Sequence, residues 1–489
     1  MSDSLRICLI SAEVAPFAKT GGLGDVCGAL ARYLHRAGHD VRLFMPFYSK
    51  IDRRDRHFHP VSFLRDVPIR MGARTLSFSG YSTTLPDTQL PIYLLHCPLL
   101  FDREGIYTQD ADEGVRFAFL TRAAIESCQR MGWGPQVFHV HDWHTALLPL
   151  YLRTVYAWDT LFQHSKTLLT IHNIGYQGVF RSSLLGEAGL GEASNFLYQE
   201  DLAAGAFNFL KTGILYAGAL STVSRTHAEE LQTDRYGMGL QSMLRARGDH
   251  LFGIVNGIDD DIWDPARDSL LPATYSKQDL SGKGTNRGQL LSSMGLEASR
   301  EAPVVGIVSR LTSQKGFDLL FDVGRRFLAE RDLRLVVLGN GEPRYEEFFG
   351  RLQHDFPGRA VFYRGYSEKL AHLVEAGADM FLMPSVYEPC GLNQMYSQRY
   401  GTPPIVRKTG GLADTVEPYN PTTGGGTGFV FEHYTPEGLS WAWDQALSTF
   451  RNPSAWHRLM VAGMSRDFSW ETQIREYERV YEALISGRL

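Results

Sequence analysis

Apolar runs recur along the chain at βα spacing. Residues 6–11, 41–46, 136–140, 166–171, 219–224 and 251–255 are nearly continuous in apolar side chains. Such runs predict strands buried on both faces of a parallel sheet. The stretches between them are amphipathic. After the glycine-rich loop 16–26, Leu30, Tyr33 and Leu34 share one stripe of a helix ending near Gly38, and a second helix is predicted over about 113–131. Residues 57–96 read as β-rich. Asn256-Gly257-Ile258-Asp259 reads as a turn, and an acidic, proline-containing stretch to about residue 300 connects the halves. A second βα series follows, with strands expected at 303–309, 333–339, 360–364, 379–384 and 403–407. The last amphipathic segment, Trp470 to Ile485, is long enough to return to the first half.

This alternation predicts an α/β protein of two doubly wound, Rossmann-like domains with a cleft between them. The first spans 1–257 and is completed by 471–489; the second spans 258–470. A chain of 489 residues is too long for one core. Polar residues gather just after the strands, where open α/β sheets bind ligands.

Composition narrows the function classes. Hydrophobic residues make 44% and charged residues 21%, as in ordinary globular proteins. The net charge of −5, with Lys and Arg dispersed, argues against a nucleic-acid surface. Five scattered cysteines without a Cys-x-x-Cys pair point to reduced thiols in a cytoplasmic protein and to no structural zinc. The first strand starts almost at once, which leaves no room for a signal peptide, and no apolar run approaches membrane-spanning length.

Several motifs fall short of their usual meaning. Gly22-Leu23-Gly24-Asp25-Val26-Cys27 nearly makes a dinucleotide fingerprint, but Cys27 stands in the third glycine's place and no acid follows the second strand. Gly339-Asn340-Gly341 reads as a tight loop at a ligand edge, since Arg344 replaces its third glycine. No Gly-x-x-x-x-Gly-Lys-Ser/Thr is present. Asp110-Ala111-Asp112 and Asp259-Asp260-Asp261 have the form of metal-binding acids, but read more simply as a connector and as helix-start acids. No metal is expected.

The turn 386–394, Val-Tyr-Glu-Pro-Cys-Gly-Leu-Asn-Gln, follows an apolar strand and leads into a short helix stopped by Gly401 and Pro403-Pro404. It offers the Glu388 carboxylate to sugar hydroxyls and free helix-start N–H groups to an anion. The competing reading is that Glu388 only caps its helix. Arg310 and Lys315 both lie on the loop after the first strand of the second half, and a departing diphosphate needs such cations. A solvated surface ion pair is the alternative.

Lys19-Thr20-Gly21-Gly22-Leu23-Gly24-Asp25, His141-Asp142-Trp143-His144, Thr170-Ile171-His172-Asn173-Ile174, Asn256-Gly257-Ile258-Asp259, Ser309-Arg310 with Lys315-Gly316, Glu388-Pro389-Cys390-Gly391-Leu392 and Thr409-Gly410-Gly411-Leu412 occur in order over nearly the whole chain. Together they resemble the bacterial glycogen synthases and plant starch synthases. The resemblance implies a GT-B fold and a retaining glucosyltransferase that moves glucose from ADP-glucose to the non-reducing end of an α-1,4-glucan. No cofactor is expected, and the cations Arg310, Lys315 and Lys19 are expected to take the place of a metal. The resemblance also implies that Arg310 and Lys315 hold the diphosphate with the N–H groups of Gly391 and Leu392, and that Lys19 reaches the donor phosphates when the cleft closes. Glu388 is implied to bind the transferred glucose, His172 and Asn173 to flank it, and Asp142 to orient the sugar or the acceptor hydroxyl. Gly22, Asp25, Asn256, Cys390 and Thr409 are implied to line the substrates, with Cys390 packing beside the site rather than acting as a nucleophile. Related retaining enzymes carry a second Glu eight positions after the first; here that place is Tyr396. Two other readings stand beside this one: a glucan phosphorylase of similar architecture using pyridoxal phosphate, and a noncatalytic glucan-binding protein.

Overall fold

The computed structural model describes residues 4–54 and 58–489. Residues 1–3, the start of the expected first domain, and His57, the first residue of the expected β-rich stretch, lie outside them. The chain divides into two compact units: Met1–Val223 with Ala228–Ile254 and Trp470–Leu489, and Ser224–His227 with Val255–Ser469.

The first unit is built on a 10-stranded sheet. Its parallel strands lie in the order Leu251–Gly253, Ala219–Thr222, Lys166–Ile171, Val137–His141, Arg6–Ile10, Asp40–Pro46, Pro91–His96. The strands Arg74–Thr84, His59–Pro60 and Val67–Met71 extend one edge in antiparallel fashion. Ile7, Cys8, Leu9 and Ile10 are all fully buried, as the uninterrupted apolar run requires of a strand covered on both faces. The parallel order reverses between Arg6–Ile10 and Val137–His141, which makes this the topological switch point.

Helix Gly22–Arg36 covers one face with Val26, Leu30, Tyr33 and Leu34. The C-terminal helix Trp470–Ile485 packs on the same core through Trp470, Ile474, Tyr477, Val480, Tyr481 and Leu484. Each such buried apolar side chain contributes about 1.5–3 kcal/mol over its exposed state. The Tyr481 hydroxyl lies 2.8 Å from His139 Nδ1, and Thr170 Oγ1 lies 2.6 Å from His139 Nε2, so this fully buried imidazole is satisfied on both nitrogens.

The second unit carries a six-stranded, all-parallel sheet in the order Ala360–Arg364, Arg334–Gly341, Val304–Leu311, Met380–Met383, Pro404–Arg407, Phe429–Phe431. Counted along the chain this is 3-2-1-4-5-6, the doubly wound order, with its switch point between Val304–Leu311 and Met380–Met383. Separate apolar clusters fill its two faces.

Four details differ from the sequence reading. The connector to residue 300 contains a helix, Ser281–Ser293. A sixth strand, Phe429–Phe431, was not foreseen. Gly339-Asn340-Gly341 is no loop but the end of a strand, paired with Ser309, Arg310 and Leu311. A Cβ on Gly339 would meet Ser309 O at 2.0 Å, and one on Gly341 would meet Leu311 O at 2.2 Å, so the glycines allow close strand approach. For the same reason Arg310 stands inside the strand Val304–Leu311, while Lys315 ends a 3-10 turn, Ser313–Lys315.

Candidate active site

The turn around Glu388 sits at the carboxyl end of Met380–Met383, beside the second unit's switch point. Its shape is held by backbone contacts that only glycine permits. Gly410 has φ +43°, and a Cβ there would lie 2.0 Å from Glu388 O. Gly411 N donates to Glu388 O at 3.1 Å. Buried Arg407 donates from Nε to Ser385 O at 2.8 Å, and its Nη2 donates to Val386 O.

Glu388 is buried, and its Oε2 accepts from Lys315 Nζ at 2.6 Å and from Ser385 Oγ at 3.0 Å. None of the described residues donates to Oε1. The helix that follows, Asn393–Arg399, has Leu392 at its N-cap and no side-chain cap. The helix-cap alternative for Glu388 therefore does not describe this carboxylate. The lysine was expected to face a diphosphate; here its charge lies on Glu388, with side-chain exposures of 17% and 6%. A pair this buried is costly to break, since removing either partner strands the other's charge. Gly391 has φ +73°, and neither its N–H nor that of Leu392 meets an acceptor among the described residues. The Arg310 side chain is exposed and has no ion pair among the described residues.

Asn256 and Cys390 lie together. The Asn256 N–H donates to the Cys390 sulfur, and burial pushes that thiol up to about 12. It stays protonated and is no nucleophile at neutral pH. The buried Asn256 Oδ1 has no hydrogen-bond partner among the described residues, and such an atom asks for a ligand group. Thr409 is buried and caps helix Gly410–Thr415 through its backbone. Tyr396, in the second carboxylate's place, stacks on Trp263 with ring centroids 3.8 Å apart. His372 covers the other face of that indole at 3.8 Å. Position 396 is thus part of an aromatic stack.

The first unit's switch point gathers a different set. Asp142 takes a left-handed backbone, φ +53°, which is uncommon outside glycine. Its Oδ1 accepts from His172 N at 2.7 Å and from Asn173 N at 3.3 Å. The carboxylate thus shapes the turn that presents His172. Burial, opposed by those two backbone bonds, lifts its pKa from 3.8 to about 7. Asn173 Oδ1 accepts from Gly175 N at 2.9 Å, so its carbonyl is committed to that turn. His172 is half-buried, and its Nε2 lies 3.0 Å from His141 Nδ1. Burial lowers the His172 pKa to about 3, so the imidazole is neutral. Lys19 is exposed and pairs with Asp25 Oδ1 at 2.9 Å. Gly22, also exposed, opens the helix Gly22–Arg36. Asp110 and Asp112 both pair with Arg103, at 2.5 and 2.7 Å, which consumes the charge a metal would need.

Sequence reasoning missed three contributors. Glu13 is buried and accepts from Thr20 N at 2.5 Å, Thr20 Oγ1 at 2.9 Å, Gly21 N at 3.3 Å and the Tyr107 hydroxyl at 2.5 Å. It anchors the loop that carries Lys19. No spacing rule reveals a carboxylate seven residues before its loop. Arg407 sits inside an apolar strand and gave no signal. Ser385 did give one, because Ser385-Val-Tyr-Glu388 has the capping-box spacing, used here away from a helix start.

Two doubly wound units, each with polar groups at its switch point, and a buried Lys–Glu pair beside open N–H groups define a glycosyltransferase of two Rossmann-like domains. Residues 6–246 match the starch synthase catalytic domain, and residues 295–456 match glycosyl transferases group 1. The chain is 43% identical to a glycogen synthase of Koribacter versatilis over 98% of both chains. It is 39% identical to one of Streptococcus pneumoniae over 99% of this chain and 100% of that one. The catalytic domain of starch synthase IV from Arabidopsis thaliana, solved with ADP and acarbose, superposes with a TM-score of 0.91 at 33% identity, over 99% of this chain and 100% of that one. A sucrose-phosphate synthase from Thermosynechococcus elongatus, 17% identical over 98% of this chain and 99% of that one, has a TM-score of 0.62 and shares the fold alone. The chain belongs to the glycogen and starch synthase family. No described helix is long and apolar enough to cross a membrane.

Proposed function

We propose that this glycosyltransferase moves glucose from ADP-glucose to the non-reducing end of an α-1,4-glucan, with retention at the anomeric carbon and release of ADP, in the cytoplasm. The observation that carries this reading is the group at the second switch point. There the Lys315–Glu388 pair, the open N–H groups of Gly391 and Leu392, and exposed Arg310 offer one carboxylate oxygen to a sugar and several donors to a diphosphate. Lys315, with three donors, serves both Glu388 and a phosphate oxygen. As the bond from the anomeric carbon to phosphate oxygen breaks, Arg310 and Lys315 take up the charge on the leaving group, while Glu388 Oε1 favours the positive character that develops on the sugar ring. The acceptor hydroxyl bonds to the same face of the anomeric carbon, and its proton passes to the departing phosphate oxygen. Retention otherwise calls for a carboxylate nucleophile, and Tyr396 stands where a second acid would be. In the first unit, neutral His172 flanks the transferred glucose on the turn shaped by Asp142. Lys19 adds charge at the phosphates.

The test is ADP release from ADP-glucose with and without glycogen, with UDP-glucose alongside. Glycogen-dependent ADP release that persists in EDTA is expected, since the cations named supply the charge a metal would. Loss of turnover to EDTA, restored by magnesium or manganese, overturns the metal-free reading. Glucan binding without ADP release supports the noncatalytic alternative, and a pyridoxal phosphate absorbance band supports the phosphorylase.

A further inference from the structure

Three chemically soft groups meet in the first unit that the transfer reaction does not use together. Cys27 lies in helix Gly22–Arg36, His141 ends the strand Val137–His141, and His172 follows the strand Lys166–Ile171. One ligand atom from each falls within 4.8 Å of the others. A tetrahedral zinc with Zn–S about 2.3 Å and Zn–N about 2.0–2.1 Å holds its ligands about 3.5 Å apart. The cluster therefore needs a closure of roughly 1 Å, and the 3.0 Å hydrogen bond between His141 Nδ1 and His172 Nε2 gives way when the imidazoles turn to the cation. A second observation points the same way: His141 Nε2 is buried with no hydrogen-bond partner among the described residues, so this imidazole has a nitrogen left over for a ligand.

The electrostatics suit a cation. Burial lowers the pKa of His172 to about 3 and that of His141 well below 6.5, so both imidazoles are in the neutral, ligating form. Burial raises the Cys27 pKa far above its ordinary value, a hydrogen bond with Ser11 opposes this, and the carboxylates of Asp142 and Glu13 add a smaller rise. The thiolate alone is unwelcome there, but a divalent cation neutralises it and gains from both acids.

We propose that Cys27, His141 and His172 form an inhibitory site for a thiophilic divalent cation of the zinc class, which on binding withdraws the His172 imidazole from the substrate. Coordination displaces the Cys27 thiol proton to solvent, and no redox step is involved. The inhibitory half rests on the role given to His172 above; the binding half does not.

The experiment titrates the EDTA-stripped full chain with Cd²⁺, following the thiolate-to-metal charge-transfer absorbance, and measures ADP release in parallel with Zn²⁺. One band-forming equivalent should depend on Cys27, and Zn²⁺ should stop turnover reversibly, with EDTA restoring it. Cys27→Ser, with Cys27→Ala as a second variant of smaller polarity, should keep metal-free turnover. Each should lose more metal affinity than the about 10-fold that removal of an outer-shell partner costs, and each should resist Zn²⁺. An undiminished band in both variants overturns the site, because the thiolate then belongs to another cysteine. A Cys27-dependent band with Zn²⁺-insensitive turnover overturns the inhibitory role. A chain that releases no ADP under any condition refutes the transferase reading, while the absorbance titration still decides the site.

Discussion

The two units share a topology and differ in what they hold at the switch point. In the second, the Glu388 carboxylate keeps Oε2 on Lys315 and Ser385, and backbone N–H groups stand open nearby. In the first, the Asp142 carboxylate is spent on the N–H groups of His172 and Asn173, and the imidazoles are neutral. Both carboxylates are buried, but one has its charge balanced by a lysine and the other serves as a brace for the backbone. The same strand order supplies an anion-handling end and a neutral, shape-defining end.

The sharpest way to break the contrast is Glu388→Gln, which keeps the side chain's size and removes its charge. Loss of a preorganised electrostatic contact of this kind costs roughly 10²–10³ in turnover, about 3–4 kcal/mol. A large fall in kcat is expected with a modest change in KM for ADP-glucose, and a lowered Tm, since Lys315 loses its buried counter-charge. A variant that keeps more than about a third of wild-type kcat, a barrier change below roughly 0.7 kcal/mol, removes Glu388 from the chemistry.

Glu13→Ala probes the loop anchor of the first unit. It strands the N–H groups of Thr20 and Gly21, and hydrogen bonds to a charged acceptor are worth about 1.5–3 kcal/mol. Steady-state kinetics should show kcat/KM for ADP-glucose falling at least about tenfold, with fold retained by circular dichroism. Unchanged kinetics would make Glu13 a packing residue only.

Asp142→Asn is expected to act on stability rather than on turnover, and its effect depends on pH. The folded carboxyl titrates at about 7 against an ordinary 3.8. The folded state therefore binds this proton more tightly than the unfolded one, and stability is lost as pH rises from about 4 through about 7. Asparagine keeps an acceptor for His172 N and carries no such cost. Its Tm should match wild type near pH 4 and exceed it at pH 8; the reverse order would mean the ionised form is favoured by the fold.

Much of this was written in the pattern of the chain. Continuous apolar runs announced strands buried on both faces, and the α/β, doubly wound reading followed. Helix Ser281–Ser293 hid because Gly282, Gly284 and Gly288 weaken its propensity and it buries few large apolar side chains, chiefly Leu290 and Leu291. Strand Phe429–Phe431 is too short to show a period. At the site, motif residues were legible because turns need particular residue types. Their partners were not. That Lys315 meets Glu388 and Asp142 meets the His172 backbone depends on which strand ends the sheet order brings together, and no local spacing encodes it.

The central claim is that the diphosphate is held chiefly at the second switch point rather than at the imidazoles of the first. Calorimetric ADP binding to Arg310→Ala and His172→Ala tests it most directly. Arg310→Ala should weaken ADP by roughly 10- to 150-fold, the loss of about 1.5–3 kcal/mol of charge-assisted bonding. His172→Ala should stay within about twofold of wild type, a change below about 0.4 kcal/mol. A larger loss of ADP affinity in His172→Ala than in Arg310→Ala would contradict the division of labour between the two units.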